Sequence, residues 1–125
     1  MSTTVWQRGE AVFLAALAAV VFVAAGHAWW WLPALFLVYD LSALGYVRGP
    51  RLGATVYNAV HSWALPALLV LAAVLLRTAG TASAPLEIIA GTWAFHVAVD
   101  RALGYGLKER DSFQSTHLGR IGRPG

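Results

Sequence analysis

Four apolar stretches, at about 8–25, 29–47, 52–76 and 86–103, fill most of this 125-residue chain, and short connections separate them. A helix of about 20 apolar residues crosses roughly 30 Å of bilayer hydrocarbon, at about 1.5 Å per residue. Ala and Leu dominate the stretches and no period-two alternation runs through them, which argues against strands. The fold class expected is an all-α membrane protein. Its four transmembrane helices would form an up-down-up-down bundle, because connections such as Gly26-His27-Ala28 and Arg48-Gly49-Pro50-Arg51 force neighbouring helices to run antiparallel. One integral membrane domain would cover 1–125, with a tail over 104–125.

Composition agrees. The chain is 58% hydrophobic and 12% charged, about half the one-quarter charge of soluble domains. It has no Cys. Disorder, a disulfide scaffold and an ordinary soluble enzyme are therefore excluded. The excess of 9 basic over 6 acidic residues needs no nucleic-acid partner, since membrane proteins gather Arg and Lys on one side. In the antiparallel topology Arg8, Arg48, Arg51, Arg101, Lys108, Arg110, Arg120 and Arg123 share one side and only Arg77 faces the other. Both termini are then cytoplasmic, in a multi-pass protein of the inner (plasma) membrane, with Trp29, Trp30 and Trp31 in the outer aromatic belt. A cleaved signal peptide is the competing reading of the first stretch, but its removal would break this charge asymmetry. Membrane lipids are the expected partners, and a homo-oligomer stays open.

Ionisable groups inside a bilayer cost about 2.5–3.5 kcal/mol each, so their positions are informative. The second stretch holds Asp40; the third Asn58 and His61, beside Tyr57; the fourth His96 and Asp100, beside Arg101. Counted at the helical rise, Asp40, Asn58, His61, His96 and Asp100 all lie roughly 5–14 Å from the cytoplasmic ends of their helices. Tyr57 and His61 are spaced i, i+4, and Thr92, His96 and Asp100 form a four-residue stripe, so each set shares a helix face. Lipid is a poor solvent for such stripes, and a polar pocket inside the bundle is expected.

Two imidazoles and two carboxylates suit a divalent metal such as zinc, manganese or iron, because catalytic zinc takes three protein ligands and keeps one position open. His61, His96 and Asp100 are the first-choice ligands. Asp40 and His117 would be further ligands or the general base, and Asn58 and Tyr57 would orient a substrate or polarise its carbonyl or phosphoryl oxygen. A metal there would activate water near the ester bonds of lipids, giving a hydrolase of an amphiphile. Arg51, Arg101 and Lys108 would meet an anionic headgroup. Three other readings stay open: a non-catalytic membrane protein whose polar layer is a structural hydrogen-bond network or a ligand-binding pocket, a haem between His61 and His96, and a proton-coupled transporter. If Asp100 paired only with Arg101 or Arg48, the network would win. His27 is expected to be solvated, Glu87 to favour the first turn of its helix, and Pro33 and Pro66 to kink theirs. The tail reads either as a basic disordered segment or as a lid over the pocket.

The strings Gly49-Pro50-Arg51-Leu52-Gly53-Ala54, Tyr57-Asn58-x-x-His61-Ser62, His96-x-x-x-Asp100-Arg101-x-Leu103-Gly104-Tyr105-Gly106-Leu107-Lys108 and Phe113-x-x-Thr116-His117-Leu118-Gly119 resemble a family of small bacterial membrane proteins, domain of unknown function 4260. The resemblance runs from about the second stretch to the tail. It implies a bacterial inner-membrane protein and no particular activity.

Overall fold

A computed structural model describes residues 1–122; Arg123, counted above with the basic side, lies outside them. The chain is mostly helical. Helix α1 spans Thr3–Ala24 and the single-turn α2 spans Trp31–Ala34. A 3-10 helix follows over Phe36–Arg48, then α3 (Pro50–His61), α4 (Ala64–Thr78) and α5 (Ala84–Leu103). Two-residue strands β1 (Ser115–Thr116) and β2 (Gly119–Arg120) pair antiparallel in the tail. Helix α5 packs against α1 and α4 and touches α2 and the 3-10 helix, which in turn carries α3.

Proline and glycine set the boundaries. Pro50 and Pro85 stand in the first turns of α3 and α5, where no amide partner is lost. Pro66 lies in the first turn of α4. In an unbroken helix its ring would meet the carbonyl of Ser62, and Ser62 is extended at ψ 161° instead. The third stretch is thus two helices, not one. At the end of α5, Gly104 is left-handed at φ 97°. Its amide donates to Arg101 O and the Tyr105 amide to Asp100 O, a Schellman cap that turns the tail back.

The second stretch departs furthest from the α-helix expected over 29–47. Thirteen residues in 3-10 form is long for that geometry. The burial pattern shows why it suits this sequence. Val38, Leu41, Leu44 and Val47 are exposed, and every pair of residues between them is turned inward. That is a period of three, which the 3-10 helix repeats without drift and an α-helix of 3.6 residues per turn does not. The inward side lies close to α3. A Cβ on Gly45 would stand 3.3 Å from Gly53 Cα, and one on Gly53 would enter the ring of Tyr46.

Two helical stretches, Thr3–Ala24 and Pro50–Thr78, are long and apolar enough to cross a membrane. The other two fall short for physical reasons: the second is divided between α2 and the 3-10 helix, and α5 carries Glu87, His96, Asp100 and Arg101. Burial is inverted relative to a soluble domain. Phe13 and Val47 are 80% and 84% exposed, while His61 and His96 are 2% and 0% exposed. Gly53→Ala should lower stability by about 1–3 kcal/mol, the cost of overpacking, whereas Gly9→Ala, with nothing within 4 Å, should not. Thermal unfolding in detergent reads both; a Gly53→Ala variant as stable as its parent would contradict the close approach of Gly53 and Tyr46.

A candidate metal centre

Three elements meet at one point. The 3-10 helix supplies Asp40, the last residue of α3 supplies His61, and one face of α5 supplies His96 and Asp100 at i, i+4. One ligand atom from each lies within 4.8 Å of all the others. The two Nε2 atoms of His61 and His96 are 3.0 Å apart. His61 Nε2 is 3.3 Å from both Asp40 Oδ1 and Asp100 Oδ2. His96 Nε2 is 3.3 Å and 3.5 Å from the same two oxygens. A tetrahedron with metal–ligand bonds of about 2.0–2.1 Å has edges of about 3.3–3.4 Å, and the five separations that involve an imidazole nitrogen, 3.0–3.5 Å, lie near that size.

The surroundings fix the ligands in that arrangement. His61 Nδ1 donates to Tyr57 O at 3.0 Å. A carbonyl only accepts, so in the neutral ring the proton is on Nδ1 and the Nε2 lone pair faces the cluster. Ser42 Oγ approaches the same Nδ1 at 3.4 Å. The Tyr57 ring stacks on His61 at 3.8 Å and 4°, and its hydroxyl donates to Asp100 Oδ2 at 3.4 Å. Phe36 lies against the His96 ring, with centroids 4.5 Å apart. Electron-rich nitrogen and carboxylate oxygen at such distances repel unless protons or a cation lie among them.

The end of α3 is satisfied by side chains. Ser62 N donates to Asn58 O, Ser62 Oγ to Ala59 O, Trp93 Nε1 to Val60 O at 2.7 Å, and Arg101 Nη2 to His61 O at 2.8 Å. All four terminal carbonyls, which a helix cannot pair internally, therefore have donors. Arg101 is spent on this and on Tyr105 O, and no ion pair joins it to Asp100 among the described residues. Arg48 makes none either. Asp100 faces the two imidazoles and Tyr57, the opposite of the criterion set for a purely structural network.

The remaining expected site residues lie elsewhere. Asn58 is outside the cluster: its Nδ2 donates to Lys108 O at 2.8 Å and its Oδ1 accepts from Lys108 N at 2.6 Å. His117 is also outside: its Nδ1 accepts from Leu107 N at 2.8 Å and its amide donates to Leu107 O. Asn58 holds the tail against α3, and His117 ties the tail to itself, where Lys108 also bridges to Thr116. Arg51 is exposed on the first turn of α3. At the opposite end, His27 is not free in a loop: its Nε2 lies 2.6 Å from Glu87 Oε2, which also takes a bond from Arg77. Glu87 thereby serves this triad and makes no cap for α5. Tyr39, Ser42 and Trp93 were not singled out from sequence. Tyr39 Oη pairs with Thr92 Oγ1 at 2.8 Å and its ring stacks on Trp93. The period of three in the second stretch was the available sign that Tyr39 and Ser42 face inward.

The geometry can be set beside known proteins. The domain of unknown function DUF4260 matches residues 4–121. The chain belongs to that family. The match includes the first apolar helix. No curated protein matches the chain, and neither does any solved structure.

The tail contact has a pH signature. Reduced hydration, and then the Arg101 charge, hold His117 below its ordinary 6.5. The undocked ring therefore takes up a proton first as pH falls, and an imidazolium cannot accept the Leu107 amide. Docking is complete above about pH 6.5 and weakens as pH falls towards the lower docked-state value. Hydrogen exchange at the Leu107 amide, corrected for its intrinsic pH dependence, should lose protection from pH 7.5 to pH 5. Unchanged protection would remove His117 from this role.

Proposed function

We propose that this is a four-span integral membrane metalloprotein whose Asp40–His61–His96–Asp100 centre performs metal-assisted hydrolysis of an amphiphile at the cytoplasmic leaflet of a bacterial inner membrane. The observation that carries the reading is the convergence of two imidazoles and two carboxylates, with ligand atoms all within 4.8 Å of one another, inside a chain whose outer surface is apolar. Zinc fits this donor set and size, and manganese or iron are compatible with the same ligands.

Burial supports a catalytic centre over a closed structural one. The side chains of His61, His96 and Asp100 are 2%, 0% and 11% exposed, while that of Asp40 is 40% exposed. Three enclosed ligands and one accessible carboxylate match a site with one position left for water or substrate. A divalent cation held there would acidify water and polarise an ester or phosphoryl oxygen. His61, His96 and Asp100 would hold the cation, and Asp40, the exposed carboxylate of the cluster, would be the general base for water at the remaining position. Tyr57 orients Asp100 and packs the His61 ring, which keeps the ligands aligned.

Four spans, with both termini in the cytoplasm, account for several features together. At about 2.0 Å per residue the 13-residue 3-10 helix is about 26 Å long, and with α2 it reaches across about 30 Å of hydrocarbon. Arg8 Nε donates to Ala102 O at one end of α5, while Arg77 pairs with Glu87 at the other. The first end gathers the basic residues, as cytoplasmic ends do.

Metal analysis of the detergent-purified protein tests the reading. Near-stoichiometric zinc, manganese or iron is expected in the wild type and should be lost in His61→Ala and in His96→Ala. Asp40→Asn should retain most of the metal and lose turnover by 10²-fold or more, roughly the contribution of a positioned general base. A wild type without metal, purified without chelator and given zinc back, would overturn the proposal.

A further inference from the structure

Of the three basic residues expected to meet an anion, two are otherwise placed. The Arg101 guanidinium is bonded to His61 O and Tyr105 O, and Arg51 is exposed. Lys108 is different. It is 4% exposed, and among the described residues its ammonium has no hydrogen bond or ion pair. Its Nζ is not among the fully enclosed side-chain atoms that lack a partner, so its three N–H donors keep a small exposed surface from which to meet a ligand. The ammonium instead lies 3.8 Å from the Phe113 ring centroid and 5.0 Å from that of Tyr57. Aromatic faces attract a cation but accept no hydrogen bond of ordinary strength. Such a group is prepared for an oxygen ligand.

The backbone holds Lys108 in place. Asn58 clamps its amide and carbonyl together, and the bridge to Thr116 ties it to the tail hairpin. Tyr57, the neighbour of Asn58, stacks on His61 and reaches Asp100. One ring therefore touches both Lys108 and the candidate metal ligands. Charge points the same way. A divalent cation would cancel Asp40 and Asp100, and Lys108 and Arg101 would then leave the site positive.

We propose that Lys108 is the anion-binding residue of this site and takes the phosphate group of a phosphate-bearing amphiphile. The proposal rests on the metal-centre reading for the purpose of the anion, but the anion site can be measured separately. Burial also lowers the Lys108 ammonium below its usual range, which a bound phosphate would reverse.

The test uses the full-length protein in detergent, with isothermal titration of phosphatidic acid, diacylglycerol and inorganic phosphate. The wild type should bind phosphatidic acid and not diacylglycerol. Lys108→Gln should weaken that binding roughly tenfold or more, the worth of one charge-assisted hydrogen bond. Lys108→Arg should restore most of it, and both variants should keep the wild-type metal content. Lys108-dependent binding of inorganic phosphate as well would identify free phosphate as a ligand; binding of phosphatidic acid alone would identify the lipid. Equal binding by Lys108→Gln and wild type overturns the proposal. If Lys108→Gln does not fold, wild type that binds phosphatidic acid no better than diacylglycerol overturns it as well. A protein without metal that still binds phosphate through Lys108 would retain the anion site and lose only the metal centre.

Discussion

Pro66 cannot continue a helix through Ser62, and the geometry of the site depends on that interruption. The break ends α3 at His61, so the imidazole sits on the last turn of a helix and not midway along a 29-residue one. It also frees carbonyls that need donors in an apolar environment. Trp93 and Arg101 of α5 supply two of them. The same helix carries His96 and Asp100 between those residues. Satisfying the broken backbone and assembling the cluster are thus one packing event: the contacts that cap α3 set the separation of His61 from His96.

The 3-10 helix solves a related problem on the other flank. With a repeat of three, Asp40, Ala43 and Tyr46 form one straight row and Tyr39, Ser42 and Gly45 another, while Val38, Leu41, Leu44 and Val47 face outward. Gly45 and Gly53 let the two backbones approach, as small residues do between membrane helices. Tyr46 fills the space over Gly53. That contact holds the row containing Asp40 against α3, and brings Asp40 Oδ1 to 3.3 Å from both imidazoles. The three enclosed ligands come from α3 and α5; the accessible one comes from the element with the least usual geometry.

The tail closes the arrangement from the basic end. Gly104 turns it back over the bundle, Asn58 pairs with the Lys108 backbone much as a neighbouring strand would, and His117 ties Leu107. The result places the Lys108 ammonium beside Tyr57. A long, polar-flanked tail with few apolar residues has little to bury by itself; its order comes from these specific hydrogen bonds.

Much of this was legible in the residues. The helical class followed from long apolar stretches, and the shared face of His96 and Asp100 from the four-residue spacing. Depth along the helices also put Asp40, His61, His96 and Asp100 in one layer, with Asn58 among them, because polar groups in apolar stretches are costly and must find one another. Other features were decided by tertiary structure. Asn58 and His117 carry the same polar character as the ligands, and only the fold directs them to the tail. Whether Pro66 bends or breaks its helix depends on donors from α5, and the 3-10 pitch of the second stretch depends on packing against α3. Sequence spacing determines which residues share a face of one helix; the distance between faces of different helices is set by how their surfaces pack.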